Sequence, residues 1–195
     1  MSTAAHADVN RRDFLFIATG AVAAVGGALV AWPFINQMNP DASVLALATS
    51  ELDLTPIAEG QEITIKWRGN PVMVRHRTQK EIDLAKSIKI EDLIDPNARS
   101  ANVKDGDTAT DENRVVGGKE TYIVVMGVCT HLGCVPIGNS GDFGVVEGSN
   151  KVGGWFCPCH GSQYDTAGRV RKGPAGQNLA VPKYAYLTDT KIRIG

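Results

Sequence analysis

All four cysteines of this chain and two of its four histidines lie in two hexapeptides, 129–134 (CTHLGC) and 157–162 (CPCHGS). Thiolate and imidazole are ligands that proteins offer to iron–sulfur clusters and to zinc. Structural zinc sites usually draw their cysteines from C-x2-C pairs. Here each hexapeptide instead combines cysteine with histidine, as C-x-H in the first and C-x2-H in the second. The two segments therefore predict a centre with mixed sulfur and nitrogen ligands.

Each hexapeptide holds two cysteines, one more than such a pair needs. Two thiolates, two imidazoles and two further cysteines fit one cluster together with one disulfide. The spacing does not decide which cysteine of each hexapeptide is the ligand. Two structural disulfides with uninvolved histidines are the alternative interpretation. Zinc is disfavoured because the candidate ligands outnumber its coordination positions.

Both hexapeptides resemble the cluster-binding loops of the Rieske [2Fe–2S] family. The additional cysteine in each is similar to the respiratory, quinol-oxidising branch, whereas Rieske ferredoxins and ring-hydroxylating oxygenases typically lack it. The resemblance implies four ligands to one [2Fe–2S] cluster, namely Cys129, His131, Cys157 and His160. In this family the two cysteines bind one iron and the two histidines bind the other. The resemblance also implies a disulfide between Cys134 and Cys159.

Two hydroxyl side chains, Ser162 and Tyr164, follow His160 closely. By the resemblance, they donate hydrogen bonds to a bridging sulfide and to the sulfur of a ligand cysteine. Such donors stabilise the added negative charge of a reduced cluster and raise its potential. The alternative is that Ser162 caps a turn and Tyr164 is a packed aromatic residue.

The resemblance also implies roles at the tips of the loops. His160 is expected to accept a proton from the quinol hydroxyl while the cluster takes up the electron, which makes it the candidate catalytic residue. Leu132 is apolar at a loop tip, and we expect it to dock on a partner subunit at the quinol site. Residues 173–175 (GPA) resemble the proline loop that covers the cluster, with Pro174 as a second docking residue.

The chain has no charged residue from Phe14 to Pro40, and residues 14–35 are almost wholly apolar or small. As a helix this segment would reach about 33 Å, enough to cross a hydrocarbon core of about 30 Å. The arginines of the preceding sequence NRRDFL place the N-terminus in the cytoplasm by the positive-inside tendency. That sequence also resembles a twin-arginine export signal. A signal cleaved after residues 46–48 (ALA) is the alternative, but the apolar stretch exceeds the about 7–15 residues usual for such signals.

These patterns divide the chain into four parts. We expect a cytoplasmic tail with the twin-arginine signal (1–13), a transmembrane anchor (14–35), a flexible neck (36–50) and a periplasmic Rieske domain (51–195). The cluster-binding part of the domain spans about 127–176. The fold class is mainly β: a Rieske-type antiparallel β domain with a cluster-binding subdomain, preceded by one N-terminal transmembrane helix.

Alternation of apolar and polar residues predicts the strands of this domain. A hairpin is predicted from Glu62–Trp67 and 71–75, joined through residues 68–70. The other predicted elements are a short helix within 81–94, a polar loop over 97–119, a strand at 121–125 and a closing strand at 187–194.

Residues 145–153 depart from the bacterial members of the family, in which GDFG runs almost directly into GWFC. They are expected to form a hairpin extension between the cluster loops. The two histidines outside the loops are expected to take no part in the site, His6 lying in a polar tail and His76 being solvated at a strand end.

The net charge of −1 gives no reason to expect nucleic acid as a partner. The resemblance implies the Rieske subunit of a bc1-type quinol–cytochrome c oxidoreductase in a bacterial inner membrane. The expected partners are ubiquinol, cytochrome b and cytochrome c1, in a dimeric complex. The alternatives are a Rieske subunit of a cytochrome b6f-like or other membrane redox complex, and a ferredoxin-like electron carrier. The anchor and the additional cysteine pair argue against the carrier.

Overall fold

The structure is a computed structural model that describes residues 10–42, 44, 48–139, 146–147, 150–151 and 153–195. The chain divides into two compact units, Met1–Leu45 and Ala46–Gly195. Several sequence predictions concern positions outside the described residues: the tail before Asn10 with His6, positions 43 and 45–47 of the neck, and positions 145, 148–149 and 152 of the insertion.

The first unit contains one long helix, α1 (Arg11–Asn36). Asn10 caps its N-terminus, because the side-chain oxygen of Asn10 accepts hydrogen bonds from the backbone N–H groups of Arg12 (2.9 Å) and Asp13 (3.1 Å). This cap pairs N–H groups that a helix end leaves open, so the helix starts before the predicted span 14–35. The helix is long and apolar enough to cross a membrane, with a mean hydropathy of 2.2 in its most apolar window.

The second unit is built mainly from β-strands: β1 (Ser50–Asp53), β2 (Glu62–Trp67), β3 (Asn70–His76), β4 (Tyr122–Met126), β5 (Ile137–Asn139), β6 (Val146–Glu147), β7 (Asn150–Lys151), β8 (Gly154–Cys157), β9 (Ser162–Tyr164), β10 (Val170–Lys172), β11 (Tyr184–Thr188) and β12 (Lys191–Ile194). Its described residues also include the helix α2 (Gln79–Ser87) and two short 3-10 turns, Ile90–Asp92 and Glu112–Arg114.

The strands form three sheets and a separate hairpin. The base of the domain consists of two three-stranded sheets, ordered β1-β12-β11 and β2-β3-β4. The cluster-binding part has a four-stranded sheet, ordered β10-β9-β8-β5, and β6 pairs with β7. All strand pairs in the described part of the chain are antiparallel, which confirms the predicted fold class. Buried apolar side chains of the sheets form one core cluster, which includes Val72, Val74, Ile123, Val125 and Ile192.

The predicted hairpin is formed by β2 and β3, but its turn is tighter than predicted. Trp67 pairs with Asn70, so only Arg68 and Gly69 lie between the strands. Both turn residues have positive φ values, 47° and 83°. That combination is typical of the type I′ turn, whose twist matches that of the flanking strands.

The predicted single closing strand at 187–194 is wrong, because the structure has two strands, β11 and β12, joined by a turn. The backbone N–H of Thr190 donates to the Thr188 hydroxyl over 3.3 Å. A polar Thr–Asp–Thr sequence provides such local hydrogen bonds, which favour a turn over a continuous strand.

The prediction that His76 is solvated is also wrong. The His76 ring stacks on Tyr122, with ring centroids 4.4 Å apart. Its Nδ1 atom lies 2.7 Å from the carbonyl oxygen of Ile57. His76 ends β3 and is packed against the neighbouring strand, so it has a structural partner on each side.

The segment 97–119, predicted as a polar loop, buries an arginine that fixes the cluster-binding part. Arg114 is fully buried and donates hydrogen bonds to the carbonyl oxygens of Ala98, Ala167 and Leu179. Burial lowers the pKa of Arg114 to about 10, so it stays protonated at neutral pH. Since Ala167 and Leu179 flank β10 on either side, one guanidinium holds both of these loops.

Candidate metal centre

Two loops carry all the cysteines. The first cluster loop (129–134) lies between β4 and β5, and the second cluster loop (157–162) connects β8 to β9. In each loop the backbone N–H of a glycine, Gly133 or Gly161, donates to the carbonyl oxygen of the loop's first cysteine, over 2.9 Å and 3.0 Å respectively. Both glycines have positive φ values, 82° and 79°, which a residue without a Cβ adopts at little cost. The two loops therefore make similar turns, each with a histidine at its tip.

The cysteines fall into two pairs with different states. Cys134 and Cys159 form a disulfide between the loops, with their Cα atoms 6.8 Å apart. Cys129 and Cys157 are free, and both are buried. One pair therefore ties the loops together, and the other pair is available to a metal.

His131 and His160 lie at the tips of the two loops and face each other. Their Nδ1 atoms are 3.3 Å apart, and their rings meet at 85° with centroids 4.6 Å apart. His160 is exposed and His131 is partly exposed. Because the Nδ1 atoms converge, they are the atoms that a shared metal centre would meet. The Nε2 atom of each ring is left for a partner outside the site.

The Tyr164 side chain is buried beside the first cluster loop. Its hydroxyl oxygen lies 3.2 Å from the sulfur of Cys129 and accepts a hydrogen bond from the backbone N–H of Thr130, also over 3.2 Å. Tyr164 can therefore donate its own hydrogen to the sulfur.

A third loop, 173–177, packs against both cluster loops. Gly173 has a φ of 99°, and a Cβ at this position would lie 2.5 Å from the Cα of Ser162, so only glycine permits this approach. The buried Ser162 hydroxyl oxygen accepts a hydrogen bond from the backbone N–H of Ala175 over 3.2 Å. The Thr130 hydroxyl donates to the carbonyl oxygen of Gln177 over 2.6 Å. Pro174 is exposed in the same loop.

Burial and hydrogen bonding act in opposite directions on the free thiols. For Cys129, burial raises the pKa, but hydrogen bonds from the Tyr164 hydroxyl and the His131 backbone outweigh it, and the pKa lies below its ordinary value. For Cys157, burial raises the pKa, and the neighbouring Cys129 adds to the rise. Burial also raises the pKa of Tyr164 to about 12. Cys129 is therefore the thiol that more readily becomes the thiolate that a metal requires.

The donor set fits a cluster with mixed ligands. The sulfur atoms of Cys134, Cys157 and Cys159 lie within 4.8 Å of one another, but the disulfide removes Cys134 and Cys159 from metal ligation. Two thiols and two imidazoles remain, the set that a Rieske centre divides between its two irons. The same four groups also suit tetrahedral zinc, so the donor set alone does not choose between the two.

Exposed apolar residues continue beyond the first cluster loop. Leu132 is 71% exposed, and Val135 and Ile137 are 53% and 55% exposed. The sequence analysis identified only Leu132, because Val135 and Ile137 lie outside the two cysteine–histidine segments and carry no local signal of exposure. It also missed Thr130 and Gln177, since a backbone carbonyl acceptor has no signature in the sequence.

Comparison with known families distinguishes the cluster from zinc. Residues 95–185 match the family model described as "Rieske [2Fe-2S] domain". Residues 1–41 match the model described as "Ubiquitinol-cytochrome C reductase Fe-S subunit TAT signal". The first match includes both cluster loops, and the second includes α1.

Curated relatives are similar over their full length. The chain is 53% identical to the ubiquinol-cytochrome c reductase iron-sulfur subunit of Bradyrhizobium diazoefficiens, covering 100% of both chains. It is 50% identical to the subunit of the same name from Blastochloris viridis, covering 100% of this chain and 98% of that one. It is 47% identical to that of Cereibacter sphaeroides, covering 100% of both.

Proposed function

Because this chain belongs to the family of ubiquinol–cytochrome c reductase iron–sulfur subunits and carries a Rieske [2Fe–2S] domain, we propose that it oxidises ubiquinol and passes the electron to cytochrome c1. The observation that carries this proposal is the pair of disulfide-linked loops. They bring together two buried free thiols and two facing imidazoles. No feature of the described residues favours the ferredoxin-like alternative.

Four side chains would hold the cluster: Cys129, His131, Cys157 and His160. When bound, the [2Fe–2S] cluster supplies one-electron chemistry at a potential that neutral imidazole ligands raise above that of four-cysteine ferredoxins. The Tyr164 hydroxyl would donate to Cys129, and the Ser162 hydroxyl would donate towards the cluster, while its oxygen accepts from Ala175. Both donors would stabilise added negative charge at the site.

His160 is proposed as the proton acceptor. Its ring is exposed, and its Nδ1 faces the Nδ1 of His131 at 3.3 Å. With Nδ1 directed at the cluster, Nε2 would accept a hydrogen bond from the ubiquinol hydroxyl and then its proton. Proton release from quinol is thereby coupled to its oxidation.

The exposed apolar residues around His131 would form the docking surface for cytochrome b. Leu132 supplies apolar area on the first cluster loop, Val135 and Ile137 supply it just after that loop, and Pro174 supplies it on the third loop. Burying such area on a partner would exclude water from the quinol site and stabilise the encounter. We further propose that the complex is dimeric, as the resemblance to the bc1 family implies.

The Tat signal region and α1 indicate a membrane-anchored protein. We propose that the N-terminus is cytoplasmic, that α1 spans the bacterial inner membrane, and that residues 51–195 lie in the periplasm. Residues 36–50 would serve as the neck that connects the anchor to the domain. The short hairpin of β6 and β7 lies within the segment 145–153, which follows the first cluster loop and precedes the second in the sequence.

A turnover assay of the purified membrane complex tests the proposal. The wild type should reduce cytochrome c with ubiquinol, and His160→Asn should lose this activity while the haem content of the complex is unchanged. His76→Asn is the matched control, because His76 packs on Tyr122 and is not part of the site; it should retain turnover. Equal turnover in His160→Asn and the wild type would refute the assigned role of His160.

A further inference from the structure

One carboxylate connects the base of the domain to the cluster-binding sheet. Glu62 is the first residue of β2, in the base sheet β2-β3-β4. Its Oε2 atom accepts a hydrogen bond from Nε1 of Trp155 over 2.7 Å. Trp155 is only 1% exposed and lies on β8, two residues before Cys157. Glu62 is thus hydrogen-bonded to β8, the strand that contains the proposed cluster ligand Cys157.

Gly138 provides the space for this contact. Gly138 of β5 is the register partner of Trp155 across the β5–β8 pair. A Cβ at Gly138 would collide with the Glu62 carboxylate. The carboxylate therefore sits against the backbone of one strand and the indole of its neighbour.

Trp155 connects Glu62 to both of the cysteines proposed as cluster ligands. On its other side, Trp155 is the register partner of Tyr164 on β9. The Tyr164 hydroxyl lies 3.2 Å from the sulfur of Cys129. A change at Glu62 would therefore reach Cys157 along β8 and Cys129 through Tyr164.

The charge of Glu62 depends on a few neighbours. Burial raises the pKa of Glu62 to about 7, although the hydrogen bond from Trp155 and the charge of Arg75 act to lower it, and Glu81 acts to raise it. Arg75 faces Glu62 across the β2–β3 pair and is bound to Glu81 on α2 over 2.6 Å. The cluster-binding sheet contributes Gly138 and Trp155 to this contact, which are uncharged.

We propose that Glu62 is a positioning residue for the cluster site. Glu62 holds β8 through its hydrogen bond with Trp155, and the negative charge of Glu62 disfavours the addition of an electron to the site. The inference rests on the proposed function, because it requires a redox centre at Cys157 and its partner ligands. A negative charge near such a centre stabilises the oxidised form. The ionised carboxylate therefore lowers the midpoint potential above about pH 7, and the neutral carboxyl well below that pH does not.

The charge is tested with Glu62→Gln, which keeps an acceptor for Trp155 and removes the ionisation. Its midpoint potential should equal that of the wild type well below pH 7 and exceed it above, with the divergence centred near Glu62's pKa of about 7. Glu59→Gln is the matched control, because Glu59 is exposed in the same segment; the difference between its potential and that of the wild type should not vary through this pH range.

The hydrogen bond is tested with Trp155→Phe, which keeps the carboxylate but removes the donor. The hydrogen bond lowers the pKa of Glu62, so its loss should raise that pKa. The midpoint potentials of Trp155→Phe and Trp155→Phe/Glu62→Gln should therefore begin to differ at a higher pH than those of the wild type and Glu62→Gln.

A second readout does not depend on turnover. In protein labelled with 15N-tryptophan, the indole N–H resonance that disappears in Trp155→Phe should shift around pH 7 in the wild type and stay constant in Glu62→Gln. Superimposable potentials at every pH, together with a constant wild-type resonance, would overturn the role of Glu62. Absence of any [2Fe–2S] signal from the wild type would instead overturn the proposed function.

Discussion

The Tyr164 hydroxyl has one hydrogen to donate, and its surroundings direct that hydrogen towards Cys129. The backbone N–H of Thr130 occupies one lone pair of the hydroxyl oxygen at 3.2 Å. The Thr130 hydroxyl also lies 3.2 Å away, but it donates to Gln177. The Cys129 thiolate would be the stronger acceptor, because hydrogen bonds to charged groups are stronger than those to neutral ones.

Tyr164→Phe and Ser162→Ala should each keep the cluster and lower its midpoint potential. Each removes a donor that stabilises the reduced state by about 1–2 kcal/mol, which corresponds to about 40–80 mV for one electron. An electrochemical titration of the oxidised and reduced forms measures the change.

Tyr186→Phe is the control for these variants. The Tyr186 hydroxyl is buried and has no hydrogen-bond partner in the described part of the chain, and Tyr186 lies on β11, outside the cluster-binding sheet. Its removal should leave the potential unchanged. Unchanged potentials in both Tyr164→Phe and Ser162→Ala would remove the hydroxyls from the account of the site.

Residue types and spacing predicted a mixed-ligand centre, but the individual roles came from the family resemblance. The structure separates the cysteines by joining Cys134 to Cys159 and leaving Cys129 and Cys157 free. The role of Glu62 could not be predicted, because it depends on contacts with residues about 75–95 positions away in the chain. Such pairings are set by the packing of one sheet on another, which no local pattern reports.

The two cluster loops are elements that have few hydrogen bonds of their own to hold them together. Each has its glycine turn, the first loop has in addition the hydrogen bond from the backbone N–H of Cys129 to the carbonyl oxygen of Cys134 over 2.8 Å, and the disulfide connects the loops across a separation of 25 residues. The third loop adds the contact of Gly173 with Ser162 and the hydrogen bond to Thr130. The disulfide is the covalent link among these contacts, so its loss should loosen the site more than the fold.

The double variant Cys134→Ser/Cys159→Ser should lower the free energy of unfolding by up to about 3.5 kcal/mol, the chain-entropy value for a loop of this size. Some cluster should still assemble, because the four proposed ligands remain. Denaturant titration gives the stability, and the cluster content per chain gives the assembly. Cys134→Ser alone should show the same loss, with an additional free thiol at Cys159. Wild-type stability and cluster content in the double variant would refute a clamping role.

Elements with a clear local pattern were predicted well, and elements fixed by distant contacts were not. The alternation in Glu62–Trp67 identified β2, since one face of that strand is packed and the other is solvated. The break between β11 and β12 was missed because 187–194 contains enough β-forming residues to read as one strand. The buried Arg114 was missed because its three carbonyl acceptors come from separate parts of the chain.

In the molecule as a whole, the apolar helix and the candidate metal centre lie in different units of the chain. The unit Met1–Leu45 contains the apolar helix, and the unit Ala46–Gly195 contains the sheets and the cluster loops. The apolar helix was predictable because uncharged runs of this length are rare outside membranes. Whether residues 145–153 contribute to docking stays a prediction, because docking depends on a partner surface that the sequence of this chain does not encode.

The most direct test of the central claim is a redox titration of the full-length protein in its membrane, followed by electron paramagnetic resonance at several pH values. We expect one [2Fe–2S] signal per chain and a midpoint potential within about −150 to +300 mV, the range of centres with two histidine ligands. The potential should fall at high pH, because electron uptake is accompanied by proton uptake at the histidines. A pH-independent potential near about −400 mV, typical of four-cysteine ferredoxins, would contradict it.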